Sequence, residues 1–110
     1  MKLPNPERAV VDIMKLRDYC LNPHHPRGRH KARVFAAALG LTIEDAEFFR
    51  AALFNAALNS RAIPTEKDEH GQRYVLDFQM TGPKGQAIVR SSWIVLRSEN
   101  FARFLSGYVL

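Results

Sequence analysis

Between Tyr19 and Ile43 the chain carries no acidic residue, and this gap holds His24-His25-Pro26-Arg27-Gly28-Arg29-His30-Lys31-Ala32-Arg33. Three histidines, three arginines and one lysine in ten consecutive positions combine fixed positive charge with groups that exchange protons near neutral pH. Phosphate is the ligand class that suits such a set. Arginine donates to it in a fork, lysine meets it as a point charge, and histidine can give or take a proton.

Two chemistries compete for the segment. As a metal site, Cys20, His24, His25 and His30 offer four donors within eleven residues, a spacing superficially like zinc ligation. Arg27, Arg29, Lys31 and Arg33 would repel a cation from the same place, and adjacent His24 and His25 point apart in most backbone conformations. No metal and no other cofactor is therefore expected. As an acid–base site the segment does better. Cleavage of RNA through its 2′-hydroxyl needs a base, cations to hold the charge of the phosphorane, and an acid for the leaving 5′-oxygen, with no metal required. His30 is the candidate for a proton-transfer role and Lys31 for charge, set against the plain alternative of a solvated histidine near a helix start.

A second constellation is Arg90-Ser91-Ser92-Trp93. Strand alternation places Val89, Ser91, Trp93 and Val95 on one face and Ile88, Arg90, Ser92 and Ile94 on the other. With Trp93 in the core, Arg90 and Ser92 face the open side near Arg73, Asp77 and Gln79. An arginine beside a hydroxyl there can grip a phosphate; equally, Arg90 or Arg73 can pair with Asp77 across strands. Tyr74 and Tyr108 could stack on bases, although strand tyrosines more often belong to a core.

The elements that must position these residues read as helices followed by strands. Residues 1–8, with Pro4 and Pro6, form an extended lead-in, and Ala9-Val10-Val11 a short strand. Asp12 caps a helix that Asn22-Pro23 stops after Leu21. A second helix spans about Arg29 to Leu39, with Gly40 as left-handed C-cap and Ala32, Phe35, Ala36 and Leu39 as buried stripe. On it His30 lies opposite the stripe, with Arg29 and Arg33 sharing a flank. Thr42 and Asp45 resemble a capping box opening a third helix to about Leu58. The period then changes to two: a weak edge strand over Ala62–Lys67, an alternating one over Gln72–Thr81, a turn at Gly82-Pro83-Lys84-Gly85, a long strand over Gln86–Arg97 and a last one over Ala102–Val109. The expectation is one α+β domain over residues 1–110, with about three helices on one face of a four-stranded antiparallel meander.

The totals agree with a basic globular domain. Sixteen Lys and Arg against eleven Asp and Glu give a net charge of +5, and eleven of the cations are arginine. With a pI near 9.8, an anionic partner is expected, nucleic acid first and an acidic protein second. The single cysteine excludes an internal disulfide, and neither an apolar signal region nor a membrane-spanning run is present, so the chain reads as cytoplasmic.

Leu21-Asn22-Pro23-His24-His25-Pro26-Arg27-Gly28-Arg29-His30-Lys31-Ala32-Arg33-Val34-Phe35, then Leu39-Gly40, Gly71-Gln72-Arg73-Tyr74 and Val89-Arg90-Ser91-Ser92-Trp93-Ile94-Val95, resemble a family of small uncharacterised bacterial proteins. Such proteins occur as stand-alone genes beside a very small gene, or as terminal domains of larger toxins. The likeness covers about Val11 to Val109. More loosely, the helices-then-meander order is similar to metal-independent toxin ribonucleases of the barnase, EndoU, colicin and RelE type. That resemblance implies cleavage of RNA, tRNA among its targets, to a cyclic phosphate, and neutralisation by a small acidic cognate protein. By position it implies His30, Lys31, Arg90 and Ser92 as catalytic residues; from the cationic segment and the open sheet face, Arg27, Arg29, Arg33 and Arg73 are expected to bind RNA. The other reading of the same face is a non-catalytic nucleic-acid- or protein-binding module, an antitoxin or accessory subunit. A third is a dimer formed through the strand Ala102–Val109.

Overall fold

The computed structural model describes all 110 residues. Its elements are α1 (Ile13–Lys15), α2 (Arg29–Leu39), α3 (Ala46–Asn59), and strands β1 (Ile63–Lys67), β2 (Gly71–Gly82), β3 (Gly85–Leu96) and β4 (Arg103–Val109). The strands form one sheet in the order β1-β2-β3-β4, each antiparallel to the next. The α+β class and the meander are therefore as the sequence reads.

Local chemistry sets the helix ends. The Asp12 carboxylate accepts from the Met14 N–H at 3.0 Å, the ordinary N-cap bond. Beyond Lys15 the backbone widens into a π turn over Leu16–Cys20, where the Leu21 N–H donates to the Leu16 carbonyl at 2.9 Å. Asn22-Pro23 ends it. Gly40 closes α2 at φ 74°, a left-handed conformation open to glycine at little cost. At the other end of the connection, the Thr42 N–H donates to the Asp45 carboxylate at 2.8 Å, completing the capping box. A 3-10 turn over Ile43–Asp45 leads from it into α3.

The core lies between these helices and one face of the sheet. Tyr74, Leu76, Phe78 and Met80 of β2 and Val89, Ser91 and Trp93 of β3 are buried there, against Phe35 and Leu39 of α2 and Phe49 and Leu53 of α3. The Phe35 and Phe49 rings meet at 4.9 Å and tie the two helices together. Each such apolar side chain contributes about 1.5–3 kcal/mol by leaving water.

The N-terminal segment differs from the expectation in three ways. It is more than a lead-in: Leu3 is buried, Pro6–Arg8 form a 3-10 turn, and the Ala62 N–H donates to the Met1 carbonyl. Ala9-Val10-Val11 makes a single parallel bridge, Val10 to Arg103, rather than a strand. Through it the Val10 N–H donates to Ala102 and the Phe104 N–H donates to Val10, both at 2.9 Å. The Lys15 ammonium then takes the Phe104 carbonyl at 3.0 Å. These bonds engage the Ala102–Phe104 end of the outer edge of β4 from within the chain, which shortens the strand that the sequence offers for dimerisation.

Candidate nucleic-acid interface

The loop before α2 is built around His25. Its Nδ1 accepts from the N–H groups of both Arg27 and Gly28 at 3.0 Å, and its ring stands edge-on to Tyr19 with centroids 4.8 Å apart. Gly28 is required for a steric reason, since a Cβ there would lie 2.5 Å from the Tyr19 carbonyl oxygen. The first half of the His-Pro-x-Gly sequence is thus a device that folds the loop over Tyr19 and aims α2. Removing it has a measurable consequence: His25→Ala strands two backbone donors and is expected to cost about 1–2 kcal/mol. His24→Ala and His30→Ala, at exposed positions, should change stability by less than about 0.5 kcal/mol. Urea midpoints of the three variants check this.

From that loop, α2 displays its cations. Arg29, His30 and Arg33 are exposed, as is Arg27 ahead of them. The protein's ion pairs join Arg50 to Glu47, His70 to Glu69, Arg73 to Asp68, Arg90 to Asp77 and Arg103 to Glu99. None involves residues 24–33, so the segment's charge is uncompensated at short range and available to an anion.

Lys31 is placed differently from its neighbours. It is half-buried, and its Nζ lies 5.7 Å from the Tyr19 ring centre and 5.3 Å from that of Tyr108. Cation–π attraction holds an ammonium at such distances while leaving its N–H donors free. Tyr108 stands opposite Arg90 in the β3–β4 register, so the two side chains share a face of the sheet. His25, Tyr19, Lys31, Tyr108 and Arg90 thereby form a continuous ledge that rounds the edge of β4 onto the sheet face opposite the helices. His30 is exposed on α2, and no hydrogen bond or ion pair joins it to the ledge.

Behind Lys31 is Cys20, fully buried. Burial raises its thiol above the usual range, with the Gly107 N–H and then the Lys31 charge opposing. It is a packed thiol rather than a nucleophile.

The sheet-borne candidates are less free than the alternation implies. Arg90 donates from Nε and Nη2 to the two Asp77 carboxylate oxygens, each at 2.8 Å. The cross-strand pair weighed against phosphate binding is therefore what forms. Only Nη1 of Arg90 is left outside it. The Ser92 hydroxyl donates to the Ser106 carbonyl at 3.2 Å, which occupies its single proton. Arg73 is engaged by Asp68 beside the β1–β2 turn and does not join the ledge. Tyr74 is buried and belongs to the core.

These pairs also set the acid response. Hydrogen bonds from Arg90, Arg73 and Arg103 hold the carboxyls of Asp77, Asp68 and Glu99, respectively, below the ordinary carboxylate range. A carboxyl with a lowered folded-state pKa stabilises the fold above its unfolded-state value and loses that contribution as pH falls toward the folded value. Urea midpoints should therefore hold from neutrality to about pH 4 and fall below it. Asp77→Asn should remove part of that fall.

The arrangement defines a small α+β protein with a cationic, aromatic ledge at one sheet edge. By sequence the chain belongs to the family described as a domain of unknown function, DUF6883, which it matches over residues 2–110. No functionally curated protein matches the sequence. Its structure is similar to one chain of a contact-dependent growth inhibition toxin–immunity protein complex from Klebsiella pneumoniae 342. The TM-score is 0.73 at 20% identity, over 92% of this chain and 99% of that one. At that identity the likeness is one of fold. No helix is long and apolar enough to cross a membrane.

Proposed function

We propose that this protein is a small toxin that cleaves RNA without a metal ion. The observation that carries the reading is the ledge itself: an uncompensated cationic segment running into Lys31, which two tyrosine rings hold with its donors free. The fold shared with a chain of a toxin–immunity complex supports it. In the reaction, a base removes the 2′-hydroxyl proton and the 2′-oxygen attacks phosphorus. The 5′-oxygen then departs with a proton from an acid, leaving a 2′,3′-cyclic phosphate and a 5′-hydroxyl. His30 serves one of the proton transfers. Lys31 and the Arg90 guanidinium, on the side that Asp77 leaves unpaired, stabilise the phosphorane, Tyr108 stacks on a base, and Arg27, Arg29 and Arg33 steer RNA. Ser92 can bond a phosphate oxygen only on leaving the Ser106 carbonyl.

The second reading, a basic binding module without catalysis, draws on the closed Arg90–Asp77 pair and the engaged Ser92 hydroxyl. Inducible expression in a bacterial host separates the two. The toxin reading expects wild type to arrest growth and fragment cellular RNA, with His30→Ala and Lys31→Ala harmless. If wild type binds RNA but neither cleaves it nor slows growth, the binding reading stands in its place.

A further inference from the structure

β2 extends well past its neighbour on one side. β1 pairs with it only from Gln72 to Val75, so Leu76 to Gly82 have β3 along one edge and no strand along the other. The hairpin fixes which backbone groups are exposed. Its two-residue turn, Pro83-Lys84, closes on Gly82 opposite Gly85, the hydrogen-bonded pair of such a hairpin. Counting back in twos directs the N–H and C=O groups of Met80, Phe78 and Leu76 toward β3. Those of Asp77, Gln79 and Thr81 point outward, as do those of Val75, which faces Ile63 of β1. No loop backbone group bonds to any of these three residues.

This edge forms one wall of a groove of about 570 Å³. The other wall is α3, through Phe48, Ala52, Asn55 and Asn59, and Arg61 lies at the β1 end. Phe48 is 51% exposed. Proteins ordinarily blunt such an edge with a proline, a lysine or a bulge. Between Leu76 and Gly82 there is none of these.

From this geometry we infer that the edge is a docking site for an extended, acidic segment of a partner protein, added as a strand beside Asp77–Thr81 in line with β1. Alternating outward donors and acceptors are complemented by another polypeptide backbone. A nucleic-acid backbone offers charged phosphate oxygens and, in RNA, 2′-hydroxyls, but no donor–acceptor ladder in strand register. One face of the added strand would pack on Phe48 and Ala52. Charge selects its character: Arg61 lines the groove, and the one carboxylate there, Asp77, is already neutralised by Arg90. A second copy of this chain would bring a further +5 to a protein of the same charge. The site is independent of whether the ledge on the far edge cleaves RNA.

The probe is a hairpin peptide whose free strand alternates valine with glutamate, titrated into isotope-labelled protein and followed by amide NMR shifts. Shifts should centre on Gln79, Thr81 and Asn55, and a lysine version of the hairpin should bind about threefold more weakly. Gln79→Pro removes one outward donor and leaves the bonds to β3 intact, and should weaken binding about fivefold. Arg61→Glu, at an exposed position, should weaken it without touching the strand. The inference is overturned if those amides do not move, if shifts centre on α2 or β4, or if the lysine hairpin binds as well. It is also overturned if the protein alone self-associates through the same amides, which would make the occupant a second copy.

Discussion

Trp93→Ala is expected to lose about 3–5 kcal/mol, a large share of the roughly 5–15 kcal/mol that holds a domain of this kind together. Trp93 has no exposed surface, and its ring stands edge-on to Phe104 with centroids 5.5 Å apart. It also anchors a buried polar chain. The indole N–H donates to the Ser91 hydroxyl at 2.9 Å, and that hydroxyl donates to the Leu76 carbonyl at 2.7 Å. Ser91 is the one fully buried polar side chain, and this relay explains how the core accommodates it. Ser91→Ala should cost about 1–3 kcal/mol by leaving the indole N–H unsatisfied. Trp93→Phe should fall well short of the alanine variant, because the ring contact survives and Ser91 keeps its bond to Leu76. Urea titrations at constant slope check the order. If Trp93→Phe proved as damaging as Trp93→Ala, the polar relay rather than ring packing would dominate.

Lys31→Ala is expected to reduce RNA cleavage by about 10²–10³-fold, the loss typical when one donor to a developing oxyanion is removed. The reason is placement rather than charge alone. The chain has sixteen Lys and Arg residues, but Lys31 alone sits between two tyrosine rings with no acidic partner. Lys31→Arg keeps the charge and should recover only part of the rate, since a planar fork does not fit a slot shaped for a compact ammonium. Arg29→Ala and Arg33→Ala should instead weaken RNA binding and flatten its salt dependence, with little change in the rate at saturating RNA. Single-turnover cleavage separates these effects. A Lys31→Ala enzyme with undiminished single-turnover rate would remove Lys31 from the chemistry.

The parts of this architecture set by local rules were legible in the sequence. Asp12, Asn22-Pro23, Gly40 and the Thr42–Asp45 box mark helix ends through bonds within a few residues. Alternation in β2 and β3 reports which side faces the core. What the sequence did not disclose depends on register. In β4 a bulge between the Ser92 and Trp93 pairings inserts one residue. Alternation counted from buried Phe104 would send Tyr108 inward; the bulge reverses it and puts Tyr108 beside Arg90. Tyr19 escaped notice because the π turn carrying it departs from the 3.6-residue period. The choice between phosphate and Asp77 as partner of Arg90 was likewise set by the exact pairing of β2 with β3. Pro23 and Pro26 already set His24-His25 apart in the sequence as a loop with a structural job, distinct from the cations beyond it; that His25 is the one that folds the turn depends on its bonds to Arg27 and Gly28 and its contact with Tyr19.

Incubating the purified protein with tRNA in the presence of a chelator and determining the ends of any fragments decides whether it cleaves RNA without a metal ion. Fragments should carry 2′,3′-cyclic phosphate and 5′-hydroxyl ends, formed by wild type and lost in both His30→Ala and Lys31→Ala. Intact tRNA carrying bound protein, or fragments that the two variants produce as fast as wild type, would contradict it.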